Sequence, residues 1–151
     1  MKIQNTGDTT AWIRATVVIT WKDKNGNVYG QAPVVDTDYT IVWSWEDKAN
    51  PETGWLKGND GFYYWNTPVN ACTCGYAEGK VMKCACTDNL TGVLIMSCEK
   101  IGTAPAGYDL SVEIIGSGLQ SVPDAAFNDA WAESSGLEIS GGVLVKGGTN
   151  G

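Results

Sequence analysis

Between Ala11 and Trp21 the chain reads AWIRATVVITW, so that Trp12, Arg14, Thr16, Val18 and Thr20 alternate with Ile13, Ala15, Val17, Ile19 and Trp21. A period of two, rich in β-branched residues, predicts a strand with two distinct faces. The next run, KDKNGNVYG, holds Asn25-Gly26, a pair that supplies the positive φ of a tight hairpin turn. A second strand is therefore expected around NVYGQAPVV. Further strands are expected at DYTIVWSWED (Asp38 to Asp47), with Trp43 and Trp45 on one face beside Ile41, and at Phe62 to Trp65 after a turn at Asn59-Asp60-Gly61. Two more are expected at TGVLIMSCEK and GYDLSVEIIGSGLQS, joined by the Pro/Gly loop IGTAPAG.

One segment changes period. Ser121 stands before Val122-Pro123-Asp124, and PDAAFNDAWAES places Ala126, Phe127, Ala130 and Trp131 on one helical stripe before Gly136. Pro near the start and Gly just past the end predict a short helix, expected to cap an open end of the strands. The tail LEISGGVLVKGGTNG reads as a last strand and a flexible end. Short strands at roughly ten-residue spacing make this an all-β chain: an antiparallel β-sandwich, jelly-roll or Ig-like, with one short helix near the C-terminus. Residues 1–151 are read as one domain, 71–90 as a cysteine-bearing hairpin insert, and 137–151 as the C-terminal strand and tail.

Composition supports folding: 43% of residues are hydrophobic, 18% are charged, and 19 glycines are scattered without a repeat. The net charge of −7, with no local cluster of Lys and Arg, disfavours nucleic acid as a partner. The apolar runs, such as Ala15 to Thr20, are too short to cross a bilayer. Met1-Lys2 leads straight into strand-like sequence, so the chain is expected to begin after a removed leader or at a trimmed boundary.

Four of the five cysteines lie in CTCGYAEGKVMKCAC. If GYAEGKVMK is a hairpin loop, Cys72, Cys74, Cys84 and Cys86 emerge on one face, because residues two apart in a strand share a face. One register sets Cys72 opposite Cys86 and Cys74 opposite Cys84, with Cα separations of about 4.5–5.5 Å, a distance that disulfides span. In an oxidising exterior this favours two disulfide rungs. The alternative is zinc on the same four thiolates, although C-x-C pairs are tighter than the gaps usual in structural zinc sites. Cys98, in LIMSC, reads as a free thiol used as a small apolar residue; the alternative is that it takes a partner from the four.

Catalysis has little to stand on. The chain has no histidine, which excludes Ser-His-Asp, Cys-His and H-E-x-x-H arrangements. No pair among the 17 acidic residues stands out as a glycosidase pair. DKNGN imitates the start of a calcium loop, but its twelfth position is Val34 where a bidentate glutamate is needed, so it reads as a hairpin turn. Of the seven tryptophans, Trp12, Trp21, Trp43, Trp45 and Trp65 lie on alternating strands and Trp131 on the helix stripe, where large aromatics fill a core. Trp55, in a loop between Gly54 and Gly58, is the expected exposed platform for a sugar ring.

Several stretches together, NTGDTTAWIRATVVITW, DGFYYWNTPV, TGVLIMSC and AGYDLSVEIIGSGLQSVP followed by Ala130-Trp131, resemble the exported bacterial proteins of the TasA/camelysin type that travel with a SipW-type signal peptide. The likeness covers roughly residues 2–70 and 91–131, and Asn5-Thr6-Gly7-Asp8 with Ala11, Ile13 and Arg14 is its most specific part. It implies a jelly-roll β-sandwich, export from a Gram-positive bacterium, and polymerisation into fibres of a cell surface or biofilm matrix. Camelysin-type proteins are described as metalloproteases, but without histidine no catalytic residue carries over. The cysteine insert departs from the family pattern.

The expectation is thus a secreted structural subunit whose partner is itself, a homopolymer formed when a tail strand bearing Leu137, Ile139, Val143 and Val145 is donated to an exposed sheet edge of a neighbour. The alternative is a monomeric surface module that binds cell-wall or matrix glycan through Trp55 with Tyr63 or Trp65. No cofactor is expected outside the zinc alternative.

Overall fold

The computed structural model describes residues 2–6, 9–71, 75, 76, 82, 83 and 90–147. Ten strands succeed one another: β1 (Ala11–Asp23), β2 (Tyr39–Trp43), β3 (Trp55–Lys57), β4 (Tyr63–Trp65), β5 (Gly75–Tyr76), β6 (Met82–Lys83), β7 (Ile95–Lys100), β8 (Tyr108–Gln120), β9 (Leu137–Ser140) and β10 (Val143–Lys146). Between β8 and β9 lies one short helical segment, α1 (Asp124–Phe127), a π-helical turn (Asn128–Ala132) and α2 (Glu133–Ser135). The sheets are β3-β4-β1-β8, β2-β7, β5-β6 and β9-β10. The all-β, antiparallel class with one C-terminal helix is as the sequence predicts.

The backbone clusters into two compact units, each taking part of β1 and β8. The first unit comprises Thr16–Thr53 and Val93–Ile115. Its β2-β7 ladder sets Tyr39 opposite Lys100, Ile41 opposite Cys98 and Val42 opposite Ser97, then shifts so that Trp43 faces Ile95. The Asn25-Gly26 turn forms as expected: Gly26 has φ +85° and donates to Asp23 O at 3.0 Å. The Asp23 carboxylate accepts the N–H groups of Asn25 and Asn27, and the bond from Asn27 leads in holding it below the usual range.

The strand expected around NVYGQAPVV does not form. Val28 makes a single bridge with Lys22 and Val35 a single one with Tyr39. Pro33 brings no N–H to a ladder, and Asp38 ties the neighbouring backbone into a clasp instead. Its carboxylate accepts from Val34 N at 2.7 Å, and its carbonyl accepts from Ile101 N and Gly102 N at 3.0 and 3.1 Å. Gly102 is required there, since a Cβ would come within 2.8 Å of Thr37 O.

The second unit comprises Lys2–Ala15, Gly54–Gly92 and Gly116–Gly151. Here β1 pairs with β4 (Arg14 opposite Tyr64, Ala15 opposite Tyr63), and β4 pairs with β3. On one face Trp12 and Tyr64 pack against Phe127 and Trp131 of the helical segment and against Leu137 and Leu144. The rings meet at angles, with Trp12 5.8 Å and Trp131 6.2 Å from Phe127 between centroids. Tilted contacts of this kind suit aromatic quadrupoles better than face-to-face stacking. A second cluster joins Ala11, Ile13 and Val69 with Ile3 and Trp65.

Two expectations need correction in this unit. The tail is a hairpin, not one strand: β9 and β10 pair through Gly141-Gly142, both with positive φ, and Leu144 N donates to Asn66 O at 2.8 Å. Gly-Gly is a turn pair of the kind that closes a two-residue hairpin, which the single-strand reading passes over. The helical stripe also narrows. Phe127 and Trp131 are buried but Ala130 is exposed, because the π turn winds more residues per turn and rotates Ala130 outward. Gly136 closes the segment at φ +70°, as expected.

Candidate functional site

Strand β1 brings Arg14 to the end of the helical segment in the second unit. Its guanidinium lies over the Phe62 ring at 4.1 Å and the Trp131 ring at 4.4 Å, donates to Tyr64 Oη at 3.2 Å, and stands 3.8 Å from Asp60 Oδ2. The Tyr64 hydroxyl donates to Asp60 Oδ2, Ser134 Oγ does so at 3.3 Å, and Asp60 Oδ1 accepts from Phe62 N at 3.0 Å. Burial first, and then the bond to this carboxylate, push the Tyr64 phenol above its ordinary range. A cation committed to two ring faces, a phenol and a carboxylate is a clamp between strand and helix. Its charge is engaged within the fold by the Asp60 carboxylate and the Tyr64 hydroxyl.

Asn5 does comparable work near the N-terminus. It is buried, and its amide donates to Thr9 O and Val69 O, both at 2.9 Å. Two residues of the opening motif, Asn5 and Arg14, are therefore engaged within the fold. Gly7 and Asp8 lie outside the described residues.

Cys72, Cys74, Cys84 and Cys86 also lie outside the described residues. Between them in sequence, Gly75 pairs with Lys83 and Tyr76 with Met82, antiparallel. Cys98 is a free thiol, half-buried on β7, and burial raises its pKa.

Trp55 is a correction. It sits on β3 rather than in a loop and is 7% exposed; its Nε1 donates to Gly92 O at 3.3 Å, and its ring meets Trp65 edge-on at 5.3 Å. A buried indole offers no face to a sugar. Of the four expected assembly residues, Leu137 is buried and Ile139, Val143 and Val145 are half-buried. Donating this segment would pull Leu137 and Leu144 out of the chain's own core.

The surface that sequence reasoning missed is in the first unit. Val18, Val28, Tyr29, Val34, Val35, Val42, Met96, Ile101 and Ile115 are exposed there, against three buried apolar residues, Trp21, Leu94 and Ile95. The clasp around Asp38 gathers Val34, Val35 and Ile101, which are 55%, 47% and 54% exposed. Alternation could flag a strand face, but not a face left without a cover. Trp43 and Trp45 stack in parallel in this unit, 5.1 Å apart at 7°, and both are half-exposed.

Comparison with known proteins adds no relative: no family model, no curated protein and no solved structure matches the chain. The likeness to the TasA/camelysin type thus rests on the residues quoted for it.

Proposed function

We propose that the protein is an exported structural subunit that associates with copies of itself into a fibre or layer at the cell surface or in a biofilm matrix. The observation that supports this reading is the uncovered apolar surface of the first unit together with sheet edges that end unpaired among the described residues. Scattered exposed apolar residues are ordinary, but aliphatics gathered on a pinned loop beside open strands mark interaction surfaces. Assembly is assigned to these edges and not to the tail, which is engaged in its own chain. Negative-stain electron microscopy of the purified full chain tests it. Filaments or sheets that are lost in Val34→Asp/Ile101→Asp are expected, and a monodisperse monomer at every concentration would overturn the reading.

A second reading, a glycan-binding module, is favoured by the Trp43–Trp45 pair and no longer by Trp55. Two parallel, half-exposed indoles flanking the buried Ser44 suit stacking on a pyranose ring. It predicts glycan-array binding that Trp45→Ala abolishes.

A further inference from the structure

Strand β8 runs for 13 residues, pairs with β1 on one side and ends its sheet on the other among the described residues. Its outer side therefore presents N–H and C=O groups of alternate residues, a chemistry that only another extended backbone satisfies along its length. Folded proteins blunt such an edge with Lys, Pro, a bulge or a covering element. The sequence YDLSVEIIGSGLQ contains no Lys, Arg or Pro. Its two charges are Asp109 and Glu113, and Glu113 is taken up by Lys22. Gly116, Ser117 and Gly118 line, together with Ile13 of β1 and Ile3 to Thr6, a groove of about 190 Å³ over the face that β8 shares with β1.

We infer that the open edge of β8 pairs with β8 of a second copy of this chain, antiparallel and about a two-fold axis near Ile115. The inference rests on the self-assembly reading above and names the surface that carries it. Charge selects the direction of this self-pairing. Both acidic residues lie in the first half of the strand and the stretch Ile114 to Gln120 has none. Antiparallel self-pairing sets the acidic half of each copy against the neutral half of the other, with Glu113 opposite Ser117. Parallel pairing in register would stack Asp109 on Asp109 and Glu113 on Glu113, which is unfavourable. Ile115 is 50% exposed in the single chain, and the two-fold brings it against its own copy. The contact is isologous, so by itself it closes as a dimer, and growth beyond two copies needs a second surface such as the Val34/Ile101 clasp.

The experiment is sedimentation equilibrium of the full chain over a concentration series, with reductant present so that thiol cross-links do not contribute. Wild type is expected to self-associate. Ile115→Lys and Ile115→Glu alone should each weaken association by about two- to fivefold through like-charge contact at the axis, and their equimolar mixture should restore it. Far-UV circular dichroism reports whether each variant keeps its fold, and Ser117→Lys replaces any that does not. Single variants that associate like wild type, or a mixture that gains nothing over them, would overturn the β8 contact. If the variants still form filaments, the edge is wrong and self-assembly stands; a wild type that is monomeric throughout defeats both.

Discussion

The two units of this chain use the same strand grammar and end in opposite states. The second unit buries Trp12, Tyr64, Phe127, Trp131, Leu137 and Leu144 as one cluster and, among the described residues, leaves two large apolar residues, Leu90 and Val122, exposed. The first buries three and exposes nine among the described residues. What separates them is the cover. In the second unit the helical segment and the β9-β10 hairpin lie on the sheet; in the first, the chain spends its length on turns and on the Asp38 clasp. The first unit relies largely on hydrogen bonds, and its apolar residues stay at the surface.

The sharpest way to break this contrast is to remove the cover. A chain that ends at Gly136 loses Leu137 and Leu144, each of which is worth about 2–5 kcal/mol on truncation to Ala, against about 5–15 kcal/mol for a whole domain. Loss of the cooperative thermal transition by circular dichroism is expected. Retention of wild-type stability would mean that the hairpin does not pack on its own chain, and donation to a neighbour would return as the mechanism.

Next in size is the clamp. Arg14→Met keeps much of the stem's packing but leaves Asp60 without its cation, and the loss is expected at about 1–3 kcal/mol in urea unfolding. Asp60→Asn should reproduce part of it, and the double variant should fall short of the sum, because both residues belong to one network. Additive losses would show that Arg14 acts only through the Phe62 and Trp131 rings.

Much of this architecture was legible in the residues. Alternation located β1, β2, β7 and β8, and Asn25-Gly26, Asn59-Asp60-Gly61 and Gly136 marked turns and a helix end. The misreadings share a cause, which is that local pattern does not report what covers a segment. Trp55 stands in a Gly-rich stretch that looks like loop, yet Gly54 is there to make room: a Cβ would sit 2.3 Å from the Trp65 ring. The Arg14–Asp60 clamp joins residues 46 positions apart, and no periodicity announces such a pair. Exposure in the first unit was equally invisible, since Val34 sits in a run read as a strand and Ile101 in one read as a loop, and neither pattern reports that the clasp leaves both uncovered.

A smaller effect sharpens the same contrast from the other side. Val34→Ser/Ile101→Ser replaces exposed side chains, so the change in unfolding free energy should stay within about 0.5 kcal/mol per site, as is usual at the surface. Self-association, read by light scattering, should fall. A large loss of stability without a change in association would reassign these residues to a folding role and leave the first unit's surface unexplained.

The smallest expected effect distinguishes the units by alkaline titration. Burial raises the phenol of Tyr64 in the second unit, and the bond to Asp60 adds to it; burial leads again for Tyr39 in the first unit, with the proximity of Cys98 and Asp36 next. A raised folded value means that the neutral phenol is favoured by the fold. Its contribution is therefore complete below the unfolded value of about 10 and is lost as pH rises through the folded one. Stability measured by denaturant midpoint should be insensitive to these groups near neutrality and should decline above about pH 10. Tyr64→Phe removes the group whose ionisation would place a second negative charge beside Asp60, so it should flatten the decline more than Tyr39→Phe does. If Tyr39→Phe flattens it more, the alkaline weak point is in the half-covered unit, and the clamp around Arg14 holds its phenol less tightly than its geometry implies.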